Sequence, residues 1–206
     1  MRRLFWLKLF GVTAWVWVFF IAYFHLLRHP AHAVTTMPLT TPDAWIGFEP
    51  RALPIYFSLW LYVGVAPGLL WSLRQLLHYG AWVGLLCAAG LSIFYALPTA
   101  IPPHTVDFEA HPSFAVLRGI DAAGNACPSM HVAAAMFSAL WIASLLNELE
   151  VPSWLRAING VWFVLIAWST VAVGQHVVLD VAAGAALGLL FAWPSLRSRP
   201  RANGPP

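Results

Sequence analysis

The chain has 206 residues, 60% of them hydrophobic and only 9% charged, with a mean hydropathy of +0.72 and a formal charge of +3. Soluble domains carry about 25% charged residues, so this composition cannot cover a water-facing surface, and it implies an integral membrane protein. The Lys and Arg residues number 11 and form no basic run, which leaves nucleic-acid binding without support.

At this length a single domain spanning residues 1–206 is expected. A membrane-spanning helix needs about 20 apolar residues. The first candidate covers residues 4–27, with Lys8 near its start, where a long amine can snorkel to the headgroups. No cleavable signal is evident, because this run is too long and has no small-residue cleavage site. Residues 28–54 are rich in Pro, Thr and His and read as a loop, with a short interfacial helix at 43–48.

The second span is expected at 55–77, kinked at Pro67-Gly68. His78-Tyr79-Gly80 reads as a tight turn, and the third span follows at 81–97, ended by Pro98 and by Pro102-Pro103. Residues 99–127 form the longest polar stretch and hold His104, Asp107, Glu109, His111, Arg118 and Asp121. A loop of that length inside a compact protein is usually functional or disordered. The remaining spans are expected at 129–146, 154–173 and 176–193, with a disordered tail at 194–206.

Six spans place both termini on one side. With the N-terminus inside, the inner segments carry Arg2, Arg3, Lys8, Arg74, Arg156, Arg197, Arg199 and Arg201, and the outer ones carry Arg28, Arg51 and Arg118. The positive-inside rule then favours cytoplasmic termini. A bacterial inner (plasma) membrane is the expected location. Both long loops, and the starts of the fourth and sixth spans, would face outward. Of the two cysteines, Cys87 reads as a packing residue and Cys127 as a neutral loop residue.

Two stretches carry the chemistry. In Gly174-Gln175-His176-Val177-Val178-Leu179-Asp180, the histidine and the aspartate are four apart, which on a helix puts them on one face. The carboxylate can fix one imidazole nitrogen and turn the other toward a target, the orienting logic of a catalytic triad. An Asp at the centre of a spanning helix costs about 2.5–3.5 kcal/mol on insertion scales. A functional pair and a structural His–Asp tie are both compatible with that cost.

In Cys127-Pro128-Ser129-Met130-His131, Pro and Ser suit a helix start. The free amides and the dipole there favour an anion such as phosphate. A histidine beside it can protonate a leaving oxygen. An interfacial histidine with no task is the alternative.

These residues resemble the type-2 phosphatidic acid phosphatases, relatives of the vanadium haloperoxidases. That family uses Lys-x-x-x-x-x-x-Arg-Pro, Pro-Ser-Gly-His and Ser-Arg-x-x-x-x-x-His-x-x-x-Asp. Pro128-Ser129-Met130-His131 looks like the second motif. Ser169-Thr170, five residues, His176, three residues and Asp180 look like the third. Met130 replaces the family's Gly and Thr170 its Arg. The first motif is absent from Tyr95 to His104. This pattern resembles the branch of the inositol phosphorylceramide synthases.

The resemblance implies an all-α, polytopic bundle of six transmembrane helices. It implies catalysis by His176 as nucleophile, Asp180 as its orienter and His131 as proton donor. Phosphate would be held at Ser129, Met130 and Thr170, with Arg118 and His104 offered in place of the missing basic motif. No metal and no cofactor is implied. The expected activity is a lipid phosphatase or lipid phosphotransferase at the outer face of the membrane, acting on a lipid phosphate or phospholipid. The alternative is a non-catalytic lipid-phosphate-binding or transport-associated membrane protein. Oligomeric state is not readable from the sequence.

Overall fold

The structure is a computed structural model and describes residues 2–103 and 124–200. Helix α1 (Arg2–Arg28) opens the chain. After it come strand β1 (Thr35–Thr36), the short helix α2 (Thr41–Ile46) and a 3₁₀ turn (Pro50–Ala52). Helices α3 (Leu53–Phe57), α4 (Leu59–Leu69) and α5 (Leu73–Ala96) follow, then strand β2 (Thr99–Ala100). The last three helices are α6 (Met130–Glu148), α7 (Ser153–Ala172) and α8 (Val178–Arg197). Six segments among the described residues are long and apolar enough to cross a membrane. The protein is an all-α membrane bundle.

Helix α6 is the centre of the bundle: more than half of its apolar window is buried, against none of the window in α1. It packs most extensively on α8, and then on α7 and α4. Close approach of α6 and α8 depends on two glycines one turn apart. A Cβ on Gly184 would collide with the Ser129 carbonyl, and one on Gly188 with the Ala133 carbonyl and with Met136. With no water between helices in lipid, such small-residue contacts let backbones pack by van der Waals attraction.

The second and third spans differ from the sequence expectation. Helix α5 runs without a break through His78-Tyr79-Gly80, and the turn lies at residues 70–72 instead. Ser72 is the reason: its hydroxyl accepts the Gln75 amide at 3.1 Å and starts α5 there. Gly80 does not stop the helix, because in lipid the chain gains nothing from freeing its backbone groups. Lys8 is also placed differently. Its Nζ donates to the carbonyls of Gly68 and Leu70, at 2.9 and 2.6 Å, and so caps the end of α4 rather than reaching for headgroups.

At the other end of the chain, α8 passes through Pro194 to Arg197 and does not stop at 193. The Ser195 carbonyl near that proline accepts from His78 Nε2 at 2.8 Å, and the Ser195 hydroxyl accepts from the Trp141 indole at 2.8 Å. Residues 194–197 of the expected disordered tail are therefore helical, and 201–206 lie outside the described residues. Cys87 and Cys127 are both free thiols. Cys87 packs against the core.

The loops at the start of α6 and α8 are stitched together. Strands β1 and β2 pair in parallel, Thr35 with Thr99 and Thr36 with Ala100. Thr99 also bridges to Asn125. The Glu49 amide donates to the Ala172 carbonyl at 2.8 Å. Ala52 and Leu53 form a small apolar cluster with Ala172 and Val173, and Ile46, Phe48 and Tyr56 pack onto it.

Candidate active site

The turn between α7 and α8 sets the position of His176. Helix α7 ends in a glycine turn: Gly174 adopts φ +71° and its amide donates to the Val171 carbonyl at 2.8 Å. Only a residue without a Cβ takes that left-handed conformation cheaply. The Thr170 carbonyl then accepts both the Gln175 and His176 amides, at 3.0 and 3.1 Å. His176 therefore stands in the turn, two residues before α8, and not on the helix with Asp180 as the four-residue spacing suggests.

The pair still forms. His176 Nδ1 lies 3.5 Å from Asp180 Oδ2, with the imidazole 9% exposed and the carboxylate fully buried. Asp180 Oδ2 also accepts the Val177 amide at 3.1 Å, closing the first turn of α8. His176 Nδ1 and Asp180 Oδ1 have no hydrogen-bond partner among the described residues. A buried polar atom left unpaired is costly unless the site uses it. Resting contacts of this length commonly tighten only once a reactant is bound.

His131 occupies the first turn of α6. Its ring stacks on Tyr56, with centroids 4.1 Å apart and planes 19° from parallel. Its Nε2 lies 3.1 Å from the Tyr56 carbonyl. A carbonyl only accepts, so Nε2 must carry a proton, and Nδ1 is left to exchange one with a bound group.

His131 and His176 line one cavity of about 1040 Å³, together with Met130, Tyr56 and Tyr23. The cavity runs along α1, α4, α5 and α6 as far as Lys8, and its walls are almost entirely apolar side chains. A large apolar trough with a few polar groups in its wall is the shape that holds an amphiphile.

The other expected phosphate-holding residues divide. Met130 lines the cavity, its sulfur lying against Gly90 of α5. A side chain at Gly90 would displace it. Ser129 is fully buried, and its hydroxyl accepts the Val132 amide at 3.3 Å as the cap of α6. Its own amide donates to the Asp180 carbonyl at 3.0 Å. Thr170 is also fully buried, with its hydroxyl donating to the Ala167 carbonyl at 2.8 Å. Neither Ser129 nor Thr170 lines the cavity; both shape the turns that carry the histidines. Arg118 and His104 lie outside the described residues.

Cys127 sits beside the pair. Burial, and then the negative charge of Asp180, push its thiol up to about 11. It is neutral at physiological pH, so it is a poor nucleophile there.

Two contributors were given no role from the sequence. Tyr56 meets His131 through both ring and carbonyl. No local pattern marks it, because the contact joins residues 75 apart. Asp43 reaches the start of α8: its Oδ1 accepts the Val178 amide at 2.7 Å. The Thr40-Thr41-Pro42-Asp43 spacing is a capping-box signature and could have singled it out.

A family model described as PAP2 superfamily matches residues 75–203. No curated protein and no solved structure matches the chain.

Proposed function

Because this chain belongs to the PAP2 superfamily, whose members are phosphoric ester hydrolases or phosphotransferases, we propose that it is a lipid phosphate phosphatase or lipid phosphotransferase working through a phosphohistidine. The single observation that carries this reading is the one apolar cavity lined by both His131 and His176, with Asp180 beside His176.

In this reaction His176 Nε2 attacks phosphorus while Asp180 holds the Nδ1 side. The bond from phosphorus to the lipid oxygen breaks, and that oxygen takes the Nδ1 proton of His131, which enters the step as the imidazolium and leaves it neutral with its Nε2 proton still on the Tyr56 carbonyl. A water or a second alcohol, giving its proton back to His131, then attacks the phosphohistidine. The products are phosphate in the first case and a new phosphoester in the second. Transfer of this kind depends on positioning and on neutralising the equatorial oxygens. The amides of Met130 and His131 at the start of α6 are suited to that task, and Arg118 and His104 are the proposed clamps.

The charge distribution supports a site on the outer face of the membrane, with both termini cytoplasmic. The resemblance of the motifs to the inositol phosphorylceramide synthase branch supports transfer as well as hydrolysis. The test uses detergent-purified protein and a panel of lipid phosphates led by phosphatidic acid, assayed for released phosphate and for labelled lipid product. Wild type turns over and His176→Ala does not; activity that survives His176→Ala removes the nucleophile from this mechanism.

A further inference from the structure

Three consecutive amides after the α7–α8 glycine turn are each held by a named acceptor. His176 N–H donates to the Thr170 carbonyl at 3.1 Å, Val177 N–H to Asp180 Oδ2 at 3.1 Å, and Val178 N–H to Asp43 Oδ1 at 2.7 Å. Two of the acceptors belong to α7 and α8 themselves. The third comes from α2, 135 residues away.

We propose that Asp43 is a positioning residue for His176, a carboxylate delivered by the α2 segment to fix the turn from which the nucleophile is presented. This rests on the phosphohistidine reading above. Asp43 has two separable tasks. Its Oδ2 accepts from the Thr40 amide at 2.7 Å and the Thr40 hydroxyl at 2.6 Å, which builds α2 locally. Its Oδ1 is not needed for α2 and is spent on the first amide of α8. That amide is an orphan donor at a helix N-terminus, where a negative charge is favoured. Burial alone would raise the Asp43 carboxyl, but the bonds from the Thr40 hydroxyl and from the Thr40 and Val178 amides outweigh it and hold it below the usual range. It stays ionised, and a charge-assisted bond is stronger than a neutral one. The α2 segment is in turn anchored by the Glu49 amide on the Ala172 carbonyl, so it cannot swing away freely.

The test removes each partner of the bond in turn. Asp43→Ala deletes the acceptor. Val178→Pro deletes the donor at the first position of α8, where proline is well tolerated, after a Val177 already extended at φ −99°, ψ 163°. Each change should lower kcat on phosphatidic acid by about 10- to 100-fold, as misplacement by about 1 Å does. KM should stay within about threefold, and the double variant should be no slower than the slower single. Hydrogen exchange across residues 173–180 should accelerate in Asp43→Ala, a readout independent of turnover. Unchanged exchange, unchanged kcat in both singles, or effects that multiply in the double variant would each overturn the role of Asp43. Loss of the phosphohistidine reading shows separately, as wild-type protein that turns over no lipid phosphate while Asp43→Ala still speeds exchange.

Discussion

The main-chain amide of Ser129 donates to the main-chain carbonyl of Asp180 across 3.0 Å. That one bond joins the start of α6 to the start of α8, and with them the two stretches that carry His131 and His176. It needs no particular side chain at Ser129 or Asp180, but it needs the two backbones to touch. Gly184 and Gly188 provide the contact on the α8 side. The distance between the two imidazoles is thus governed by helix packing rather than by the motif residues alone.

Gly184→Ala should therefore act as a site mutation although it carries no functional group. Its Cβ would drive into the Ser129 carbonyl. Overpacking of this kind costs about 1–3 kcal/mol, read as a lowered Tm in detergent, and turnover should fall with it. Gly160→Ala is the control, because a Cβ there meets nothing within 4 Å. It should leave both Tm and turnover near wild type.

Asp180→Asn keeps an oxygen able to accept the Val177 amide, so the fold should survive. The amide side chain carries no charge to steady an imidazolium and permits the wrong tautomer at His176. On the proposed mechanism kcat should fall by on the order of 10³–10⁴, the scale on which the orienting carboxylate of a triad matters. Helix content measured by circular dichroism should not change. A loss smaller than about tenfold would make the His176–Asp180 pair a structural tie.

Cys127 offers a check on the charge state of its neighbour. A thiol held near 11 is almost wholly protonated at pH 8. Only the thiolate reacts with maleimide, so labelling should run about 100-fold slower than for an unshifted thiol and speed up as pH rises toward 11. Burial is the larger cause and persists in Asp180→Asn. Removing the carboxylate's charge should still lower the thiol's pKa and accelerate labelling. An unchanged rate in that variant would mean that Asp180 is not charged beside Cys127.

The amino-acid order by itself determined that this is a helical membrane protein. Runs of apolar residues about 20 long are a local property, and nothing in lipid other than a helix or a closed barrel satisfies their backbones. It also singled out His131, His176 and Asp180, because ionisable side chains are so rare in this chain that each one at a span's edge stands out. The helix ends were less legible. Ser72 starts α5 well ahead of the His78-Tyr79-Gly80 turn that the sequence suggests, and Pro194 does not stop α8.

The working parts of the site were decided only by the tertiary structure. His176 leaves the helix because the Thr170 carbonyl claims its amide, Ser129 and Thr170 face inward to shape turns, and Asp43 reaches the start of α8 from the distant helix α2. Each of these follows from backbone groups left unpaired at helix ends. Which partner reaches them depends on which loops the packed bundle brings alongside, and spacing along the chain does not encode that.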